Sequence, residues 1–185
     1  MEETRQHSPV RIREKIQELQ HQRERLNKGG GEHAIERQHR LGKLTARERI
    51  EMLLDPGTFK ELNIWARPTK TGFDIDRKEA PGDALVMGYG KVDGRIIYVY
   101  AHDFTSLGGT QAAMQNWKVR RSIDMAVRMG VPYVGIVDSG GVRLQDAFGI
   151  ASGRGISVLA DVWYAPAIAS GVVPGVTLLL GASYA

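Results

Sequence analysis

The chain has 185 residues, enough for one core with an appendage, and 42% hydrophobic with 25% charged residues is an ordinary globular composition. It has no cysteine, which excludes disulfide staples, thiolate catalysis and cysteine-bound zinc and fits a reducing compartment. The net charge of +4 comes from intermingled acids and bases, so it makes no case for nucleic acid and suits an anionic small ligand. The polar start, MEETRQHSPVRIREK, lacks the apolar run of a secretory signal, and no stretch approaches the roughly 20 apolar residues of a membrane span. The expectation is a cytoplasmic protein with no membrane partner.

Residues 1–56 read as a helical arm. Ile12, Ile16, Leu19 and Leu26 form one stripe in an otherwise charged run, and NKGGGEH ends that helix because three glycines lose too much backbone freedom to stay in it. A second helix is expected at LTARERIEMLLD, with Thr45 as N-cap and Glu48 completing a capping box. Ile50, Leu53 and Leu54 dock it, and the Asp-Pro-Gly at 55–57 stops it. His7, His21, His33 and His39 lie in this arm without the spacing of a metal pair, so no metal is expected.

Residues 57–185 change texture. ALVMGYGKVDGRIIYVYAHD holds two strands joined at Asp93-Gly94, a pair that accepts the positive φ angles of a tight hairpin. The loop FTSLGGT follows, then a helix over 111–129 with Val119, Ile123, Ala126 and Val127 inward and Gly130 as its cap. VPYVGIVDSGG is an apolar strand, 151–170 a helical stretch, and SGVVPGVTLLLGASYA repeats the strand pattern. Helices alternating with continuous apolar strands predict an α/β fold whose parallel sheet is covered on both faces. Ligands gather at the carboxyl ends of such strands, where the small-residue loops 138–142 and 181–185 fall.

The stretch Asp138-Ser139-Gly140-Gly141 admits two chemistries. Ser139 as a nucleophile needs a base, and the one histidine outside the arm is His102, beside Asp103. Yet Val137 stands where the first glycine of Gly-x-Ser-x-Gly belongs. The alternative is that paired glycines admit a ligand to the main chain and present its amides to a developing oxyanion, with no reactive side chain. A third reading, a non-catalytic scaffold piece, also stands.

GKLTARERIEMLLDPGTF, PGDALVMGYGKVDGRIIYVYAHDFTSLGG, DSGGVRLQD and ASGVVPGVTLLLG occur in order over nearly everything from about residue 10 onward. Together they resemble the amino-terminal part of the carboxyltransferase (β) subunit of biotin-dependent acyl-CoA carboxylases, near propionyl-CoA carboxylase β and the methylmalonyl-CoA carboxyltransferases. The resemblance implies a crotonase-like spiral of ββα units. It implies carboxybiotin, carried by a biotin carboxylase or carrier partner, meeting an acyl-CoA in a cleft between subunits of a homo-oligomer built from dimers. Carboxybiotin would release CO2, the biotin anion would take the α-proton of the thioester, and the enolate would attack CO2. By match, Gly140, Gly141 and the N–H of Val142 form the loop at the thioester. Gly108 and Gly109 shape the neighbouring wall, and Gly181 and Ala185 belong to the next loop. Lys118, Arg120, Arg121 and Arg143 are candidate partners of the CoA phosphates.

Two departures carry weight. Relatives commonly read Gly-Gly-Ala-Arg-Ile-Gln-Glu where this chain has Val142 and Asp146, adding bulk beside the oxyanion site and shortening an acid. The resemblance also implies a further glycine-rich turn and a second similar domain after Ala185. The chain is therefore expected to be part of a longer subunit and inactive alone.

Overall fold

The structure, a computed structural model, describes residues 9–69, 74–78, 80–147 and 157–184. Helix α1 (Pro9–Asn27) ends at the three glycines as expected, with Gly29 and Gly31 at φ 55° and 90°. A helix that the sequence did not announce, α2 (Glu32–Arg40), begins directly afterwards; no side chain caps its start, and Ala34 and Ile35 are its only apolar residues. Helix α3 (Ala46–Leu53) opens on the expected capping box, with the Thr45 N–H donating to the Glu48 carboxylate at 2.7 Å and the Glu48 N–H donating to the Thr45 hydroxyl. Ile12, Ile16 and Leu19 of α1 remain about half exposed, whereas Ala46 and Ile50 of α3 are buried. The arm's last helix thus packs into the core.

One sheet carries five strands in chain order: β1 (Lys60–Leu62), β2 (Leu85–Val92), β3 (Arg95–His102), β4 (Tyr133–Ser139) and β5 (Gly175–Ser183). β1, β2 and β3 pair antiparallel, and β3, β4 and β5 pair parallel. The sheet is therefore mixed, which corrects the expectation of a parallel one. The cause is local: Asp93 and Gly94 take φ 50° and 77°, the geometry of a two-residue hairpin, and such a turn can only join antiparallel neighbours. Parallel pairing begins where a helix provides the crossover. α4 (Ala113–Met129) lies between β3 and β4, and a four-residue α5 (Leu144–Ala147) and α6 (Ser157–Ala169) lie between β4 and β5.

Alternation along the strands divides the core. Leu85, Met87, Tyr98 and Tyr100 face Val119, Ile123 and Ala126 of α4 and Ala165 and Ala169 of α6. Their neighbours Val86, Ile97, Val99 and Ala101 turn to the opposite face, with Ala46, Ile50 and Leu54 of the α3 region and Ile136 of β4. Coverage stops short of β5, where Val176, Leu179 and Leu180 are exposed, as are Trp163, Tyr164 and Ile168 of α6. Both faces of the sheet are thus left partly uncovered at β5, a second correction. Among the described residues no helix is long and apolar enough to cross a membrane.

Candidate active site at the carboxyl ends of the parallel strands

The parallel pairing of β4 with β5, from Tyr133 opposite Gly175 to Ser139 opposite Ser183, brings the two small-residue loops to one end of the sheet. Past β4 the main chain is held bond by bond. The Gly140 N–H donates to the Gly108 carbonyl (2.9 Å), and the Gly141 N–H donates to the Ser139 hydroxyl (3.1 Å). The Gln111 N–H reaches the Gly141 carbonyl and the Arg143 N–H reaches the Gln111 carbonyl, each at 2.8 Å. Val142 lies between those bonds on the opposite edge, and among the described residues its N–H has no acceptor. Of the three amides expected at the oxyanion site, those of Gly140 and Gly141 are therefore spent within the protein, and that of Val142 is the donor left.

The glycines build this loop rather than line a pocket. Gly141 sits at φ 95°, where a side chain is strained, and a Cβ there would press on Tyr184 at 3.2 Å. At Gly181 a Cβ would overlap the carboxylate of Asp138, and at Gly109 it would overlap the Asp138 carbonyl. Gly108 takes φ 63° with open space at its Cβ position. Ala185 lies outside the described residues.

Asp138 is fully buried one residue before the loop. Its Oδ2 accepts from Arg49 at 2.8 Å and from Gln38 at 3.2 Å, and its Oδ1 faces the Lys43 ammonium at 3.6 Å. Gln38 lies in α2, Arg49 in α3 and Lys43 between them, so this carboxylate fastens those helices to the end of β4. Sequence reading missed it because nothing in the spacing of Asp138 and Arg49 predicts their meeting.

The serine–histidine dyad does not form. Ser139 is 1% exposed, and its hydroxyl accepts from Gly141. His102 is buried too, with the Gln115 side-chain amide against its Nε2 at 3.2 Å. Burial pulls the His102 imidazole down to about 4 from 6.5, with the Asp138 charge opposing. Between those pH values the unfolded chain binds a proton that the folded one refuses, so the penalty is absent above pH 6.5 and grows as pH falls toward 4. The expected loss is on the order of 3 kcal/mol. Denaturation midpoints between pH 7 and pH 4 should show it, and His102→Gln should flatten the decline; an unaltered slope would exonerate the imidazole.

The four cations expected at the CoA phosphates fare differently. Lys118 is fully buried, donating to the carbonyls of Gly82 (2.8 Å) and Leu85, and burial lowers its pKa to about 8 from 10.5. Arg143 is 4% exposed and bonded to Asp83, Asp146 and Thr110. Neither is available to a phosphate. Arg121 is exposed beside the Trp117 ring, and Arg120 lies between Asp124 and the Tyr164 ring. Other cations gather where the α1–α2 turn meets the segments before β2. A cavity of about 360 Å³ there is lined by Arg25, Lys28, Arg67, Arg77 and Lys78 over Leu26, Ile75 and Pro81. Its glycine turn rests on the β3–α4 loop, the Gly30 N–H donating to the Thr105 hydroxyl at 3.1 Å, and that loop continues to Gly108.

The profile of the carboxyl transferase domain matches residues 37–185. The chain belongs to the carboxyl transferase domain family. The chain is 44% identical over 167 residues to the methylmalonyl-CoA decarboxylase α subunit of Propionigenium modestum, covering 90% of the chain and 31% of that relative. It is 39% identical over 175 residues to the mitochondrial propionyl-CoA carboxylase β chain of Mus musculus, covering 94% of the chain and 31% of the relative. The crystal structure of transcarboxylase 12S, a hexamer with methylmalonyl-coenzyme A and methylmalonic acid bound, superimposes with a TM-score of 0.82 at 36% identity over 90% of the chain and 31% of that protein. A Pseudomonas malonate decarboxylase in complex with malonate superimposes with a TM-score of 0.59 at 25% identity over 72% of the chain and 49% of that protein. The chain thus spans about a third of the length of the curated relatives it matches. Its fold is the crotonase-like α/β fold that the resemblance implied.

Proposed function

We propose that this chain forms the acyl-CoA side of a carboxyl transferase that moves a carboxyl group between carboxybiotin, borne on a partner, and a short-chain acyl-CoA. The observation that carries the reading is the Val142 N–H at the carboxyl end of β4, which has no acceptor among the described residues while the N–H groups of Gly140, Gly141 and Arg143 are bonded. Removing the α-proton of a thioester moves the C–H electron pair onto the carbonyl oxygen, and an amide already aimed at that oxygen stabilises the charge without reorganising. The electrons then return to form the new carbon–carbon bond. Carboxybiotin would supply the carboxyl group, losing its N–C bond as the carbon–carbon bond forms and receiving the α-proton on the freed ring nitrogen; this chain's part is to hold the thioester and its oxyanion.

The phosphates of the CoA fit the cationic cavity beside the α1–α2 turn better than the buried Lys118 and Arg143. Reversing charge at two exposed lining residues, Arg67→Glu with Lys78→Glu, is expected to weaken CoA binding by about tenfold, equivalent to about 1.4 kcal/mol. Calorimetric titration with CoA measures it, and an unchanged Kd would place the phosphates elsewhere.

The reading is tested with the enzyme assembled with its biotin carrier. Labelled carboxyl should pass from carboxybiotin to propionyl-CoA, and Ser139→Ala should leave that transfer largely intact while costing about 1–3 kcal/mol of stability through the orphaned Gly141 N–H. Biotin-independent release of free CoA from the thioester, abolished by Ser139→Ala, would establish a hydrolase instead.

A further inference from the structure

Arg143 follows the free amide directly, and its guanidinium is engaged on several sides in a nearly water-free setting. Nη1 donates to Asp83 Oδ1 at 2.6 Å and to Asp146 Oδ2 at 3.3 Å. Nε donates to the Thr110 hydroxyl at 3.2 Å, and Nη2 donates to the Thr110 carbonyl at 3.3 Å. Asp83 is fully buried, and its second oxygen accepts the backbone N–H of Gln115, in the first turn of α4, at 3.0 Å. It projects from Gly82-Asp83-Ala84, three successive residues at positive φ (62°, 51° and 58°), two of them not glycine. Backbone held in that region persists where the surroundings over-determine it. Here the surroundings are a buried carboxylate tied at one oxygen to a helix and at the other to the loop bearing Val142.

The geometry points to the Asp83–Arg143 pair as a positioning device that sets the direction of the Val142 N–H, so that Arg143 serves the oxyanion site from inside the protein. This inference rests on the functional reading above. A guanidinium is a planar fork, and its plane is defined only when several of its N–H groups are engaged, as they are here; an ammonium in the same place supplies charge without orientation. The bonds from Gln111 fix both peptides flanking Val142, and Arg143 fixes Thr110, the residue before Gln111. The loop and the segment that braces it are thus clamped to α4 through one carboxylate. Bound phosphate is not required for any of these contacts.

The two roles available to Arg143 separate kinetically. A phosphate ligand contributes equally to bound substrate and transition state, so its loss raises KM and spares kcat; a positioning residue acts where charge develops, so its loss lowers kcat and spares KM. In the assembled enzyme Arg143→Lys is expected to lower kcat by about 10- to 100-fold, the cost of a donor displaced on the order of 1 Å, with KM for the acyl-CoA changing less than about threefold. Thr110→Val, which removes one acceptor and keeps the charge pair, should give the same pattern at smaller size and covers the case in which Arg143→Lys does not fold. Hydrogen exchange over 139–144 should accelerate in both variants while exchange in β2 and β3 stays unchanged, which a global loss of stability would not produce. A raised KM at constant kcat, or an intact kcat with faster exchange, overturns the inference. If exchanging the Val142 amide itself for an ester leaves kcat intact, the functional reading fails first.

Discussion

Replacing the Val142 amide by an ester, through incorporation of the α-hydroxy analogue of valine, is expected to lower kcat of the assembled enzyme by about 10²–10³-fold. That is the usual cost of deleting one oxyanion donor, roughly 2.7–4 kcal/mol. KM for the acyl-CoA should hardly move, because the oxygen carries its charge only on the way to the carboxylated product. The valine side chain and the Arg143 N–H survive the exchange, while the Val142 N–H gives way to an ester oxygen and the Gly141 carbonyl, now that of an ester, accepts the Gln111 N–H more weakly. The same exchange at Gly141 makes a control of opposite kind. Its N–H is committed to the Ser139 hydroxyl, so losing it should cost stability with a smaller effect on rate. Substituting a valine at Gly141 would be a poorer probe, since φ 95° and the nearby Tyr184 make any side chain there disruptive whatever the amide does. Steady-state kinetics decide the matter, and equal rates for the Val142 ester and the unaltered enzyme would remove the oxyanion role from this loop.

The second large effect concerns folding. Arg49→Met should destabilise the chain by roughly 3–5 kcal/mol, the cost of leaving a buried charge without its partner. Asp138 is fully buried and Arg49 is 6% exposed, so water cannot replace the lost 2.8 Å contact. Lys43, at 3.6 Å and more exposed, compensates only in part. Gly181 leaves the room in which the carboxylate sits, so Asp138 has little freedom to find another donor. Adding Asp138→Asn to Arg49→Met should recover much of the loss, because the amide carries no charge to strand. Chemical denaturation of the four proteins of that cycle yields the coupling, and additive effects of the two substitutions would show that the pair is not the fastening of those helices to β4.

Those two results concern residues whose roles were legible to different degrees. The hairpin at Asp93-Gly94, the capping box from Thr45 to Glu48, the αL cap at Gly130 and the apolar strands ending at Ser139 all follow from residues within a few positions of one another. The capping box is satisfied by bonds that close locally, and the hairpin is set by the backbone geometry of Asp93-Gly94 itself, although both turn N–H groups donate to the distant Asp55 carboxylate. Even α2 was obscure only because it lacks a side-chain cap and carries few apolar residues. The likeness to the carboxyl transferases likewise rests on ordered short motifs, and those are properties of the chain itself.

The site was legible as a place and not as a set of roles. Gly140, Gly141 and Val142 look alike as donors until the acceptors arrive, and these come from Gly108, in another loop, and from the Ser139 hydroxyl. Lys118 and Arg143 look like surface cations until α4 and the loop after β4 pack them against carbonyls and carboxylates. A strand run of apolar residues does not say whether its neighbour lies parallel or antiparallel, and the mixed order of the sheet came from which connections could span it. The amino-acid order alone specified local backbone shape, the buried faces and the family. Which amide remains free, which cation is buried and which carboxylate binds α2 and α3 were set by tertiary packing, because a hydrogen bond or a desolvated charge depends on whichever group is nearest in space, and here those groups lie from 2 to 100 residues apart in the chain.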